Sequence, residues 1–332
     1  MRQRRFLALL GGLATAWSAI LLAGIGLSTA AAQTYPDKTV KFIVPYTPGS
    51  PVDAGARVIA QDLQKRLGQS VILEARSGAG SATGTKAAAT APPDGYTLLL
   101  TGTPLVYLPT MYPNAGGELV KDLVPIASFL IWSHVIVVLP EIPAKTLPEL
   151  VAYAKANPGK LVWGYGLGTT PHILGESLKQ ATGIDIASIP YRGGDQARAD
   201  LLGGRVHMNI APLAAMLPLI QEGKVRPLAF TGPARSVDMP DVPTTKEVGF
   251  PTVGYDPDVW LGILGPPGTP AVVVDKINAA VNEGLKTPEV QAAFRRLGFE
   301  AKAGTPQEFK AFLSDELAKW PALLTAAGIK AQ

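Results

Sequence analysis

Asp53 and Arg192 are the two charged residues whose settings could do chemistry, the first where a loop meets its helix and the second at a strand end before Gly193-Gly194. Asp53 follows Tyr46-Thr-Pro-Gly-Ser-Pro-Val52, at the point where a Pro- and Gly-rich loop, 45–53, turns into a helical pattern. A strand feeding a loop and then a helix leaves unpaired backbone N–H groups at the helix start, and these, with the helix dipole, favour a bound anion. Three prolines restrict this loop before any ligand arrives. An ordinary βα turn has the same pattern, and Asp53 then only caps its helix. In the other reading its carboxylate accepts a hydrogen bond from a ligand amine, hydroxyl or water. Arg192, in Pro190-Tyr-Arg-Gly-Gly194, could grip a carboxylate with two parallel hydrogen bonds or stand idle in solvent.

A second loop of the first kind comes later, in Trp163-Gly-Tyr-Gly-Leu-Gly-Thr-Thr-Pro-His172. Its glycines allow close backbone approach, and Thr169 and Thr170 add hydroxyls at a helix start. Neither this loop nor Gly78-Ala-Gly-Ser-Ala-Thr-Gly84 has dinucleotide-binding spacing, and a P-loop is absent. His134, His172 and His207 lie in separate segments without metal-ligand spacing, and the chain has no cysteine. A serine-hydrolase elbow is also missing. The composition therefore supplies no nucleophile, metal set or cofactor fingerprint, and no metal or cofactor is expected.

The elements that position these loops follow from periodicity. Strand and helix patterns alternate along the chain: strand 39–44, helix 52–67, strand 70–74, helix 85–91 and strand 96–101. After a long β-rich run, 127–140, the same grammar restarts at Leu161. A second long run, 255–264, precedes three helical patterns at 272–285, 288–297 and 306–327. Such alternation predicts an α/β protein with largely parallel sheets. Two long β runs around a complete α/β unit predict two crossings between lobes, with a ligand cleft between them. The expected lobes are 33–136 with 257–332, and 137–256.

Residues 1–32 read as an export signal: Arg2, Arg4 and Arg5, an apolar run to Leu27, then Ala30-Ala-Ala32 before a polar start. The apolar run is also long enough for a membrane anchor, but the small residues favour cleavage near Ala32 and a periplasmic protein. Of the formal +4 charge most lies in that leader, so the mature chain is close to neutral. That gives no field for nucleic acid or an anionic membrane.

With these segments laid out, the mature chain resembles the Bug family of periplasmic solute-binding proteins, receptors of tripartite tricarboxylate transporters. The likeness rests on Tyr35-Pro-Asp-Lys-Thr-Val-Lys-Phe-Ile-Val-Pro-Tyr-Thr-Pro-Gly49, Ala91-Pro-Pro-Asp-Gly-Tyr-Thr97, Gly168-Thr-Thr-Pro-His172, Ile189-Pro-Tyr-Arg-Gly193, Asp200-Leu-Leu-Gly-Gly204 and Pro266-Pro-Gly-Thr-Pro270, among others in the same order. It implies a type II periplasmic-binding-protein fold, a two-lobed flytrap in which each lobe is a mostly parallel sheet flanked by helices. It further implies a monomer that captures a small carboxylate without catalysis and hands it to transporter membrane subunits. The site residues it carries over are Tyr46, Pro48, Gly49, Ser50, Asp53, Thr101, Thr103, Gly166, Gly168, Thr169, Thr170 and Tyr191. The chain departs from the family at Ser50, Tyr165, Ala211 and Ala215. Tyr165 beside Trp163, Tyr46 and an apolar 211–215 would suit an aromatic or larger ring, so the small carboxylate expected is an aromatic or a dicarboxylic one. The rivals are a ligand-sensing module for a signalling partner and an exported hydrolase or lyase.

Overall fold

The computed structural model describes residues 35–166, 169–191, 193–232, 234–236, 238–251, 253 and 259–326. The chain divides into two units, Met1–Asp37 and Lys38–Gln332. Only 35–37 of the first are described, so the expected leader lies outside the described residues, and all that follows concerns the second unit.

The first lobe opens with β1 (Val40–Val44), α1 (Pro51–Leu67), β2 (Val71–Ala75), α2 (Ala82–Ala89), β3 (Thr97–Gly102), α3 (Pro104–Met111) and β4 (Val124–Trp132). The chain crosses at Ser133 and builds β5 (His134–Val138), α4 (Leu147–Ala156), β6 (Val162–Gly166), α5 (Thr170–Thr182), β7 (Ala187–Tyr191), α6 (Gly194–Leu202), β8 (Met208–Pro212), α7 (Leu213–Gln221) and β9 (Arg226–Phe230). It returns as β10 (Val259–Gly265), α8 (Ala271–Leu285), α9 (Pro288–Arg296), β11 (Glu300–Ala301) and α10 (Pro306–Ala326). Among the described residues these strands form a six-stranded sheet, β11-β4-β10-β3-β1-β2, and a five-stranded sheet, β7-β6-β8-β5-β9.

Two expectations need correction. The sheets are mixed, not mostly parallel. β1 runs parallel to β2 and β3, and β6 parallel to β7 and β8, but β10 runs antiparallel to β3 and β4, and β5 antiparallel to β8 and β9. β11 also runs antiparallel to β4, and the parallel pairs are the ones joined by helical crossovers, β1 with β2 and β3 and β6 with β7 and β8. The expected boundary after residue 136 also falls inside a strand, because all of His134–Val138 pairs in the second sheet.

Local chemistry explains the helix that follows the first loop. Ser50, with extended backbone, accepts the Asp53 N–H on its side chain, Pro51 sits at the first turn, and Gly68 closes the helix at φ +65°. Ala56, Ile59, Ala60 and Leu63 face inward at helical spacing and are buried. Gly55 faces the same way, and a Cβ there would stand 2.8 Å from Leu130 Cδ2, so glycine lets α1 lie close to β4. In the second lobe Gly175 does the same for α5: a Cβ would stand 1.9 Å from the Trp163 ring.

Each lobe has its own core. Val135 to Val138, Leu161, Trp163, Leu174, Leu178, Ile210 and Phe230 build the second. Leu99, Leu105, Tyr107, Leu108, Trp260, Phe309, Trp320 and Leu324 build part of the first. Ile173 of α5, a second-lobe residue, is fully buried in the first lobe's core.

Candidate functional site

The first loop spends its polar groups on itself. The Asp53 carboxylate, 5% exposed, accepts the Gly49 N–H at 2.9 Å and two Arg57 nitrogens at 2.9 and 3.2 Å. Burial pushes its pKa up, but the Gly49 N–H and the Arg57 guanidinium outweigh that and hold it below the usual carboxylate value. Gly49 takes φ +81°, which a side chain would oppose, and Pro48 is exposed at the tip. Asp53 thus closes the loop through Gly49 and Arg57, while Ser50 caps the helix.

Tyr46 acts at the base of that loop. Its hydroxyl meets Thr101 Oγ1 at 3.2 Å and accepts the Gly102 N–H at 3.3 Å. Burial pushes its pKa up to about 12, against the opposing effect of these hydrogen bonds. Thr101 is fully buried in this contact. Thr103 is fully buried too, its oxygen accepting the Trp260 N–H of β10 at 3.1 Å. These residues fasten the end of β3 and the start of α3.

A cleft of about 650 Å³ lies between the two sheets. Val52, Gly102, Thr103, Pro104 and Tyr107 line it from the first lobe, and Tyr165, Gly166, Thr169, Thr170 and Pro171 from the second. Five of the expected site residues therefore meet on one cavity: Thr103, Tyr165, Gly166, Thr169 and Thr170. Tyr46, Pro48, Gly49, Ser50, Asp53 and Thr101 stand behind or beside its wall and do not line it. Nor does Tyr191, whose hydroxyl donates to Asp200 Oδ2 at 2.7 Å. Gly168 and Arg192 lie outside the described residues.

Several hydroxyls expected as ligand donors are engaged. Thr169 donates to the Gly166 carbonyl at 2.7 Å. Thr170 Oγ1 lies 3.1 Å from Tyr107 Oη, a buried hydrogen bond between the lobes. Trp163, expected to stack on a ligand, is 1% exposed and stacks on Tyr165 at 4.5 Å. Tyr165 in turn lies almost flat against His172, 4.3 Å away with planes at 6°. Burial holds the His172 pKa below the ordinary histidine value; Glu176 works against this and Lys179 with it.

Sequence reasoning missed the charged wall. Arg198 of α6 and Arg296 of α9, one from each lobe, line the cleft with Asp195 as the carboxylate. The rest of that wall is mostly apolar, with Trp132, Ile210, Ala211, Ala214, Ala215, Met216, Leu261 and Phe299. Ala211 and Ala215 fit the apolar 211–215 segment expected. The arginines carried no local signal, since neither lies in a glycine loop. Chemically the arrangement is a slot with mostly apolar walls that carries the guanidinium groups of Arg198 and Arg296 beside Asp195, His134 and Asn209.

The chain matches the family model described as "Tripartite tricarboxylate transporter family receptor" over residues 55–329. Protein BugT of Bordetella pertussis is 35% identical over 334 residues, covering 99% of each chain. A solved R. palustris protein with adipate is 31% identical with a TM-score of 0.76, covering 90% of this chain and 100% of that one. MatC from Rhodopseudomonas palustris, solved with bound malate, is 27% identical with a TM-score of 0.72, covering 87% and 100%.

Proposed function

The chain belongs to the tripartite tricarboxylate transporter receptor family, and from that premise we propose that it is a periplasmic receptor that captures a small carboxylate between its lobes. It then presents the closed form to the membrane subunits of such a transporter. It acts as a monomer, after removal of its leader near Ala32. The observation that carries this reading is the cleft itself, lined from both lobes and including Arg198 with Gly166, Thr169 and Thr170.

A carboxylate docks against the Arg198 guanidinium and the Thr170 N–H of α5, since Pro171 has no N–H and those of His172 and Ile173 donate to the Thr169 carbonyl at 3.0 and 3.3 Å. Arg198 Nη2 lies 3.0 Å from Asp195 Oδ1, but Asp195 is 88% exposed, so that pairing is screened and leaves other N–H groups for a ligand. Each hydrogen bond to a charged group contributes about 1.5–3 kcal/mol. Three of these with apolar burial reach the roughly 8 kcal/mol of micromolar binding after ordering costs. Relatives solved with adipate and with malate support an acid as the ligand class.

Isothermal titration of the mature chain against mono-, di- and aromatic carboxylates tests this. The expected result is saturable one-to-one binding of at least one acid, recovered unchanged, with at least tenfold loss in Arg198→Gln. Absence of binding across the panel, or turnover of the bound acid, contradicts it.

A further inference from the structure

Strand β8 carries an asparagine where its neighbours are core. Asn209 lies between the buried apolar residues Met208 and Ile210 on the middle strand of the second sheet, and is itself 2% exposed. Asparagine is disfavoured in strands, and a buried amide costs stability unless both of its ends are hydrogen-bonded. Here the protein bonds only one end. Nδ2 donates to the Gly164 carbonyl at 2.9 Å, and because that carbonyl can only accept, the amide cannot sit the other way round. Oδ1 accepts no hydrogen bond among the described residues, and it is not sealed away from open space. The space it meets is the cleft, which Asn209 lines.

A plainer role exists for the donor end. The pairing of β6 with β8 runs through Trp163–Met208 and Gly164–Asn209 and stops, while β6 continues beside β7 to Gly166. The side-chain N–H therefore serves a carbonyl where this ladder ends. That role leaves the acceptor end unexplained. The charged groups of the cleft sharpen the contrast: Arg198 and Arg296 can only donate, and Asp195 is 88% exposed and paired with Arg198. Asn209 Oδ1 is thus a buried, neutral acceptor in a cleft whose cations suit the ligand's carboxylate.

Resting on the carboxylate reading of the cleft, we propose that Asn209 is a specificity-determining residue whose Oδ1 accepts a hydrogen bond from a neutral O–H or N–H on the skeleton of the bound acid. An acid of the same shape without that donor leaves Oδ1 buried and unpaired once the lobes exclude water, so it binds more weakly. An ammonium group is the poorer donor here, because two guanidinium groups share the cleft and repel it.

Calorimetric titration of the mature protein with matched trios of acids tests the residue. Each trio holds a hydroxy acid, its parent acid and its O-methyl ether, in aliphatic and phenolic series. Primary carboxamides against their N,N-dimethyl forms, and the matching amino acids, complete the panel. The expected result is at least one donor-bearing acid that binds at least tenfold tighter than its donor-free partners. In Asn209→Leu that ratio falls to within threefold of one. A ratio that survives Asn209→Leu, with all acids weakened alike, assigns the amide to the sheet alone and overturns the proposal. So does a wild type that ranks no donor-bearing acid above its partners, or an amino acid that outbinds its hydroxy counterpart. In each of these cases acids still bind, and the receptor reading stands. Asn209→Leu also strips the Gly164 carbonyl of its donor; should the variant melt too low for titration, the wild-type ratios decide alone. Failure of every acid to bind overturns both readings.

Discussion

Thr103 and Arg198 both border the cleft, yet they answer substitution in opposite ways. Thr103 accepts the buried Trp260 N–H, so Thr103→Val strands that donor and costs about 1–3 kcal/mol of stability. Chemical denaturation is expected to show this loss, with carboxylate affinity changed by less than the tenfold expected of Arg198→Gln. His172 gives a second residue-level test. Its folded-state pKa is depressed, so the unfolded chain takes up a proton first as pH falls. Stability from this group is therefore full above about pH 6.5, the ordinary histidine value, and is lost progressively below it. His172→Phe keeps a ring against Tyr165, and its melting temperature should fall less between pH 7.5 and 5.5 than that of the wild type. Equal falls would mean that His172 is not the group responsible.

At the scale of elements, α5 carries the most constraint. It starts at the cleft, lies on Trp163 through Gly175, and sends Ile173 into the first lobe's core. Gly175→Ala puts a methyl group into the Trp163 ring, so the helix must lift from β6. Overpacking of this kind costs about 1–3 kcal/mol, and here backbone movement adds to it. The expected readout is a lowered melting temperature together with weaker ligand binding, since the first turn of α5 shifts with the helix. Most helices and strands were legible in the sequence because their periodicity and caps are local. Ser50, Pro51 and Gly68 bracket α1, and 288–297 and 306–327 were read nearly as they stand. The split of 127–140 into β4 and β5 was not legible. β5 is buried along its whole length and β4 along much of its own, and the polar pair Ser133-His134 between them carries no glycine or proline to signal a turn. Strand sense was hidden for the same reason, as a buried strand reads alike in either direction. In the site, the loop residues Thr169 and Thr170 were readable from their place before a helix. Arg198, Arg296 and Tyr107 were not, because elements distant in sequence bring them to the cleft.

For the whole molecule, the lobes touch at two places among the described residues. Tyr107 bonds Thr170 beside the buried Ile173, and Gly298, at φ +71°, stands against Ala214 so closely that a Cβ would lie 1.9 Å from the Ala214 Cβ. Opening the cleft at the first contact breaks one buried hydrogen bond and exposes Ile173. Losing the bond costs about 0.5–1.5 kcal/mol and exposing the isoleucine about 1.5–3 kcal/mol. Tyr107→Phe and Ile173→Ala are therefore expected to shift the ligand-free protein toward open forms, read as a larger radius of gyration in solution scattering, with Ile173→Ala the stronger. A ligand that joins both lobes should return each variant to the wild-type radius.

Hydrogen–deuterium exchange of the mature protein, with and without the tightest-binding carboxylate, measures directly whether one ligand is held by both lobes. The account predicts slowed exchange in two separated stretches, 102–107 at the start of α3 and 165–173 at the start of α5. Protection confined to one of these stretches, or lying in neither, would contradict it.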